Sequence, residues 1–518
     1  MAPTLINKWR KYVLFLALVV LFWSLPLTKP TSSYFNSIAH AGFFNNDLET
    51  FEEIVDLIAE KYVYSPDHKK LFTAAIDNLI KTADSLNIGL ISNSAGGTIA
   101  FNKKSIRYYL NYDLNHNMDE LKKIYYFIQD QSKKSIPKND LEVAAIRGVL
   151  DSLDNYSQYL DKSAFEKSMR DTEGKYGGLG MIITMKDNQL YVVKTMDDSP
   201  AKEAGILADD SFVSVNGKNI KELQIQELAD LLRGYPETQV TLTLYRATEK
   251  RKYTHSLTRR IILVNTVEYE TLDDQVGYFK ISSFSKLTEK QLKKYLKQAK
   301  KEEIKGVILD LRGNPGGLLN QSVKVASHFL FKGRMVVYTQ GRSKDDYREY
   351  KSLYKRSFHK MPVAVLINQH SASASEIVAG ALRDSGNALL IGENSYGKGS
   401  VQTIFRISDG SGVRLTTSKY FTPSGVDITK NGVIPEVHII NDAIEETSDV
   451  NKKRNTPNTN LTLKSSSLTK FFEKQGITLT NNHDTTVELA RRILKNSHTA
   501  NKIFSLDKAR EIAENINY

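Results

Sequence analysis

The chain has 518 residues, 41% hydrophobic and 25% charged, with a net charge of +12 and no cysteine. That length exceeds one core and predicts roughly three or four domains. Disulfides, zinc–thiolate centres and cysteine nucleophiles are excluded, and ten scattered histidines without an HExxH pair argue against a zinc hydrolase.

The dispersed basic residues read as a solvated surface rather than a nucleic-acid stripe. At the N-terminus, Lys8, Arg10 and Lys11 precede Val13–Leu27, an almost wholly apolar run of 15 residues. As a helix this run spans roughly 22 Å, short of a ~30 Å hydrocarbon core. A charged start and a short apolar stretch suit an export signal, with Ala39-His40-Ala41 as its cleavage site. An uncleaved single-pass anchor fits as well. Either reading assigns residues 1–42 to the inner membrane and the rest to the periplasm or another extracytoplasmic space.

Residues 43–165 read as a helical region. At an offset of 70, Phe51, Ile54, Leu57 and Ile58 fall on Leu121, Ile124, Phe127 and Ile128. Leu71, Ala75, Ile76 and Leu79 fall on Leu141, Ala145, Ile146 and Val149. Each copy carries two amphipathic helices. The pairs either form a tandem repeat or share only the spacing common to helices, and their stripes bury against each other or against a second subunit.

From 166 to 250 the period shortens to two. YGGLGMIITMKDNQLYVVKTM and FVSVNGKNI are strand-like, with an Asn-Gly turn, and IQELADLLRG is a helix. These elements predict a small, partly open barrel. From 251 to 441 strands alternate with helices. GVILDL, PVAVLIN and ALLIGE are continuous apolar strands of the kind buried on both faces, so this part is a layered α/β domain. Residues 442–470 are polar and aperiodic and read as a linker, followed by a helical extension, 471–518.

Three loops of the α/β part carry chemistry. GENSYGKGS, 392–400, resembles a P-loop, but Gly399 stands where the magnesium-binding Ser or Thr belongs, and strand-like VQTIFRI follows instead of a helix. Two readings of Lys398 remain, a general base or a surface turn residue with Ser373 as a plain helix cap. NQHSASASE, 368–376, sits between a buried strand and a helix, where a serine is exposed and a helix N-terminus faces an oxyanion. Serine needs a base to become a nucleophile, and lysine serves only when neutral, which burial favours. LDLRGNPGG, 309–317, places consecutive glycines after a strand, so Gly316 or Gly317 and the Ala374 N–H are candidate oxyanion donors.

With GVLDSLDNYSQYL, TEGKYGGLG, GYFKISSF and KYFTPSG, these loops make the chain resemble the carboxyl-terminal processing peptidases, from about Leu141 to Val437. The resemblance implies a crotonase/ClpP-like layered serine–lysine protease core with an inserted PDZ β-barrel. It makes Ser373 the nucleophile, Lys398 the base and Gln402 the residue orienting the amine. It gives His370 no role. Leu179, Gly180 and Met181 become the N–H donors to a substrate's terminal carboxylate, and the substrate adds a strand. Asp209-Asp210 departs from the Gly-Asp usual there. The implied activity needs no metal and no cofactor. The implied partners are protein C-terminal tails; in such families the flanks often bind adaptors or build homo-oligomers. A non-catalytic PDZ adaptor on the same scaffold is the alternative.

Overall fold

A computed structural model describes residues 47–517, apart from 84–88, 94–95, 102, 133–134, 356–357, 430, 441–460, 478–483, 496 and 498–500. The predicted signal or anchor lies outside the described residues. Among those described, no helix is long and apolar enough to cross a membrane.

The first helices are α1 (Glu49–Lys61) and α2 (His68–Thr82). Strands β1 (Gly89–Asn93), β2 (Gly96–Phe101) and β3 (Lys104–Tyr109) follow, then α3 (Leu114–Gln131) and α4 (Lys138–Asp151). Phe51, Ile54 and Ile58 share one core with Leu121, Ile124 and Ile128, and so do Leu71, Ala75, Ile76 and Leu79 with Leu141, Ala145, Ile146 and Val149. The stripes therefore bury on each other within one chain. Two expectations for 43–165 need correction. Strands β1, β2 and β3 form an antiparallel meander, not helix. Ile407, Val413 and Leu415 of the later sheet complete the helical core, so the region is not self-contained.

Strand β4 (Gln158–Leu160) and helix α5 (Lys162–Glu173) lead into the second part. Its elements are β5 (Lys175–Gly178), β6 (Met181–Lys186), β7 (Gln189–Thr195), α6 (Pro200–Glu203), β8 (Ser211–Val215), β9 (Lys218–Asn219), α7 (Ile225–Leu232), β10 (Gln239–Arg246), β11 (Arg251–Thr258) and β12 (Arg260–Leu263). The sheet order is β11-β10-β8-β7-β6, with β9 on β8, and β5 pairs with β12. The boundary expected at 250 thus falls too early, because β11 and β12 pair with strands of this part. Asp209, standing where a glycine was expected, takes a left-handed φ of 65°. Asp210 beside it is buried and ion-paired to Arg246 at 2.8 Å.

The third part contains β13 (Val267–Leu272), β14 (Val276–Ile281), α8 (Thr288–Lys301), β15 (Gly306–Asp310), α9 (Leu319–Ala326), β16 (Met335–Gln340), β17 (Arg348–Lys351), β18 (Val363–Ile367), α10 (Ala374–Asp384), β19 (Ala388–Gly392), β20 (Ser400–Arg406), β21 (Gly412–Phe421), β22 (Val437–Ile440), β23 (Leu461–Lys464), α11 (Ser465–Lys474), α12 (Thr485–Lys495) and α13 (Lys502–Asn517). Its main sheet has the order β13-β14-β15-β18-β19-β22-β23, parallel throughout except for edge strand β13. A second sheet runs β17-β16-β21-β20, with β4 on β21.

The apolar runs are continuous because both faces of the main sheet are covered. Val307, Leu309, Val363, Val365 and Ile367 pack against α8, α9 and α10. The alternate residues Ile308, Ala364, Leu366, Leu389 and Ile391 pack against Leu468, Phe472, Val487, Leu489 and Ile493. This overturns two sequence readings. The last residues of the expected linker, from 461, form a sheet strand and begin a helix. The C-terminal extension is a covering layer of the core, pinned where Arg312 bonds Asp310 and Asp484, each at 2.7 Å.

Candidate active site

Three loops leave the C-terminal ends of β15, β18 and β19, the edge at which ligand sites form in open α/β sheets. The loop after β18 ends at Ser373, the N-cap of α10, with φ 54° and ψ −112°. A side chain there costs on the order of 1–3 kcal/mol and persists because its surroundings enforce it. The Ser371 hydroxyl donates to Leu311 O at 2.8 Å, and Ala372 N–H donates to Asn314 O at 3.0 Å. The loops after β15 and β18 are thereby fastened together.

Gly316 (φ 102°) and Gly317 (φ 140°) lie against this turn. A Cβ on Gly316 would meet Ser373 Cβ at 2.9 Å and Ala374 N at 3.0 Å. The structure distinguishes the two glycines. Gly316 N–H already donates to Asn314 Oδ1 at 2.8 Å. Gly317 N–H has no protein acceptor among the described residues, and Ala374 N–H is the first of its helix, with no partner in the preceding turn.

Lys398 follows β19 on a loop that returns across α10. The tie is Glu376, fully buried one turn into that helix. Its Oε2 accepts the N–H groups of Ser373 (2.7 Å) and Lys398 (3.0 Å), and its Oε1 accepts Gly397 N–H (2.7 Å) and the Ser395 hydroxyl (2.5 Å). The Tyr420 hydroxyl lies 3.2 Å from Ser373 O and 3.3 Å from Glu376 Oε2. Burial, reinforced by the Glu376 charge, holds that phenol well above its usual value, so it stays a donor. Sequence reasoning missed Glu376, Tyr420 and Tyr156. The available signal was Ser-x-x-Glu at a helix start, where a Glu reaches back to the N-cap N–H.

Burial, then the Arg414 charge, lowers the Lys398 amine from the ordinary lysine value; Glu376 and Asp154 oppose this less strongly. Among the described residues no hydrogen bond joins the amine to the Ser373 hydroxyl. The amine lies 4.8 Å from the centre of the Tyr156 ring. Among the described residues Gln402 makes no hydrogen bond to the amine; its side-chain nitrogen donates to Ser400 Oγ at 2.9 Å and Thr416 Oγ1 at 3.4 Å. His370 is exposed, and among the described residues its one bond is from its backbone N–H to Asn368. Beyond Lys398 the chain enters β20, a strand and not a helix, so no helix N-terminus faces a phosphate there.

In the second part, Leu179 and Gly180 precede β6, a sheet-edge strand beginning at Met181, with α7 beside it. Gly180 has φ 73°, and its carbonyl accepts Met196 N–H at 2.9 Å. Leu179 N–H and Gly180 N–H have no protein acceptor among the described residues. An open edge under two unengaged donors is the arrangement that takes an added strand ending in a carboxylate.

Residues 275–439 match the model of peptidase family S41, and residues 191–246 match a PDZ domain. A carboxy-terminal-processing protease of Bartonella bacilliformis is 42% identical over 298 residues, 57% of this chain and 68% of that protein. The carboxy-terminal processing protease CtpA of Bacillus subtilis is 37% identical over 320 residues, 62% of this chain and 68% of that one. Among solved structures, a photosystem II D1 C-terminal processing protease is 26% identical, covering 76% of this chain and 93% of its own, with a TM-score of 0.41. The kinship with the Bartonella and Bacillus proteases, 42% and 37% identity over 68% of each, settles the family: the chain belongs to the carboxy-terminal processing proteases of peptidase family S41 and carries a PDZ domain.

Proposed function

We propose that this chain is an extracytoplasmic serine endopeptidase that binds protein C-terminal tails through its PDZ domain and cleaves them with a Ser373–Lys398 dyad. The observation that carries the reading is the single Glu376 carboxylate that fixes the backbones of both residues. Burial moves the amine toward the neutral form that serine activation needs.

Neutral Lys398 takes the proton of the Ser373 hydroxyl as Oγ bonds to the scissile carbonyl carbon. The carbonyl oxygen becomes an oxyanion, held by the N–H groups of Gly317 and Ala374, with Gly316 shaping the turn rather than donating. The tetrahedral centre collapses, the C–N bond breaks, and the Lys398 ammonium gives its proton to the leaving amine. Lys398 then takes a proton from water as that water attacks the ester, and returns it to Ser373 as the acid product leaves. Gln402 orients the amine in this scheme through its side-chain oxygen, its nitrogen being held by Ser400 and Thr416.

The tail adds a strand to β6, its carboxylate on the N–H groups of Leu179, Gly180 and Met181. The PDZ part is a partly open barrel spanning 166–263, ahead of a crotonase/ClpP-like layered core, 264–517. The apolar N-terminal run directs or anchors the chain to the inner membrane, and the helical flank offers a surface for an adaptor or a second copy.

Incubation of the full chain and its Ser373→Ala and Lys398→Arg variants with a protein bearing an apolar tail tests the reading. Both variants lose cleavage while keeping tail affinity. Turnover by either one refutes the dyad.

A further inference from the structure

Among the described residues no hydrogen bond joins the base of the proposed reaction to its nucleophile. The Lys398 amine faces the Tyr156 ring, 4.8 Å from its centre, inside the range at which an aromatic face attracts a cation. The ring has a built seat. Tyr156 and Ser157 donate their N–H groups to Asp154 Oδ1 at 2.7 and 2.8 Å, and the Ser157 hydroxyl bonds Asp154 Oδ2 at 2.9 Å. Thr416 of β21 donates its hydroxyl to Asp154 at 3.2 Å and its N–H to the Ser157 hydroxyl at 3.2 Å. The turn bearing the ring is thus fastened to the sheet that adjoins the base.

Attraction to a ring face acts on an ammonium and hardly at all on a neutral amine. The other groups facing the amine come from three elements. Arg414 of β21 disfavours the cation, as burial does, whereas Glu376 of α10 and Asp154 before β4 favour it. Tyr396, on the lysine's own loop, neighbours the Tyr156 hydroxyl, and burial holds that phenol above its ordinary value, so the ring remains neutral.

We propose that Tyr156 is a positioning residue for the cleavage reaction: its ring seats the Lys398 side chain as the ammonium, off the Ser373 hydroxyl, and the base becomes competent on leaving that seat. On departure the ammonium yields its proton to water, and the neutral amine then takes the serine proton as above. The inference rests on the Ser373–Lys398 reading and adds where the base waits.

The test is the pH dependence of Ser373 labelling by a small fluorophosphonate, which needs no tail, measured on the full chain. Tyr156→Leu, which keeps apolar bulk without a π face, lowers the pH of half-maximal rate by about half a unit or more. It also raises labelling below that pH about threefold. Tyr156→Trp, with a stronger π face, moves the midpoint upward. Tyr156→Phe keeps the wild-type midpoint whatever its absolute rate. Unmoved midpoints in the Leu and Trp variants overturn the seat. So does a Phe midpoint displaced as far as that of Leu, which would assign the effect to the hydroxyl. If the Leu variant does not fold, Trp against Phe still decides. Lys398→Ala separates the two levels: wild-type labelling in that variant sinks the dyad itself, whereas lost labelling with an unmoved Tyr156 series sinks this inference alone.

Discussion

Ser373 and Lys398 donate their backbone N–H groups to the same atom, Glu376 Oε2, at 2.7 and 3.0 Å. Residues 25 positions apart in sequence are thereby set by one buried side chain. In Glu376→Gln, one oxygen becomes a donor, so either the Ser373/Lys398 pair or the Gly397/Ser395 pair faces an N–H group. The expected loss is about 1–3 kcal/mol of stability, with a fall in kcat larger than any change in KM. Denaturant unfolding and steady-state cleavage check both.

The three glycines of LRGNPGG separate sterics from backbone freedom. In Gly316→Ala the new methyl meets Ala372 O at 2.7 Å and Ser373 Cβ at 2.9 Å, and in Gly317→Ala it meets Phe284 O at 2.3 Å. Gly313→Ala also has a left-handed φ, 72°, but opens into free space. The first two changes abolish Ser373 labelling. Gly313→Ala costs about 1 kcal/mol of stability and leaves labelling near wild type. Equal losses in all three would contradict the site geometry.

Lys398 trades stability for chemistry. Burial, then Arg414, holds its folded value below the ordinary ~10.4, so between the two values the unfolded chain binds more protons than the folded one. The resulting destabilisation is present in full below the folded value and fades as pH rises toward the ordinary one. Lys398→Met is therefore inactive yet melts above wild type at neutral pH, with the gap narrowing as pH approaches 10. Thermal unfolding across pH checks this, and a gap that widens with pH would contradict it.

Arg312 spans a buried partner, Asp310, and a half-exposed one, Asp484, whose side chains are 2% and 39% exposed. Asp310→Asn strands the guanidinium and also weakens the acceptor of the Tyr278 hydroxyl, so it costs about 3–5 kcal/mol. Asp484→Asn costs about 1 kcal/mol or less. Denaturant midpoints rank the two.

Gly180→Ala places a methyl 2.4 Å from Ser199 Cβ at a φ of 73°. It is expected to weaken tail-peptide binding at least tenfold, because the donors beside it shift, while fluorophosphonate labelling of Ser373 persists. Titration calorimetry and labelling on the same preparation separate the two modules.

The legibility of the sequence followed locality. Apolar runs such as VAVLI and ALLIG declared doubly covered strands, and the strand–loop–helix around SASAS announced a serine at a helix N-cap, because these signals lie within a few residues. The meander at 89–109 was lost among helices since its strands are short and its apolar residues few. Leu461–Lys464 looked like linker because its four residues become a strand only beside Val437–Ile440. Glu376 went unread, because its partners at 395–398 reach it only when a distant loop folds back. Gln402 was placed from the family pattern, and no local signal indicated that its amide would turn to Thr416.

The layer formed by α11, α12 and α13 also orders events in time. A growing chain that has reached Pro435 already contains Ser373, Glu376 and Lys398, yet the hydrophobic side of β15, β18 and β19 still lacks Phe472, Val487 and Ile493. A parallel sheet with one bare side cannot hold its loops in register. Synthesis past Ile493 must therefore precede peptide-bond hydrolysis, which delays the arming of this protease until its covering helices have emerged.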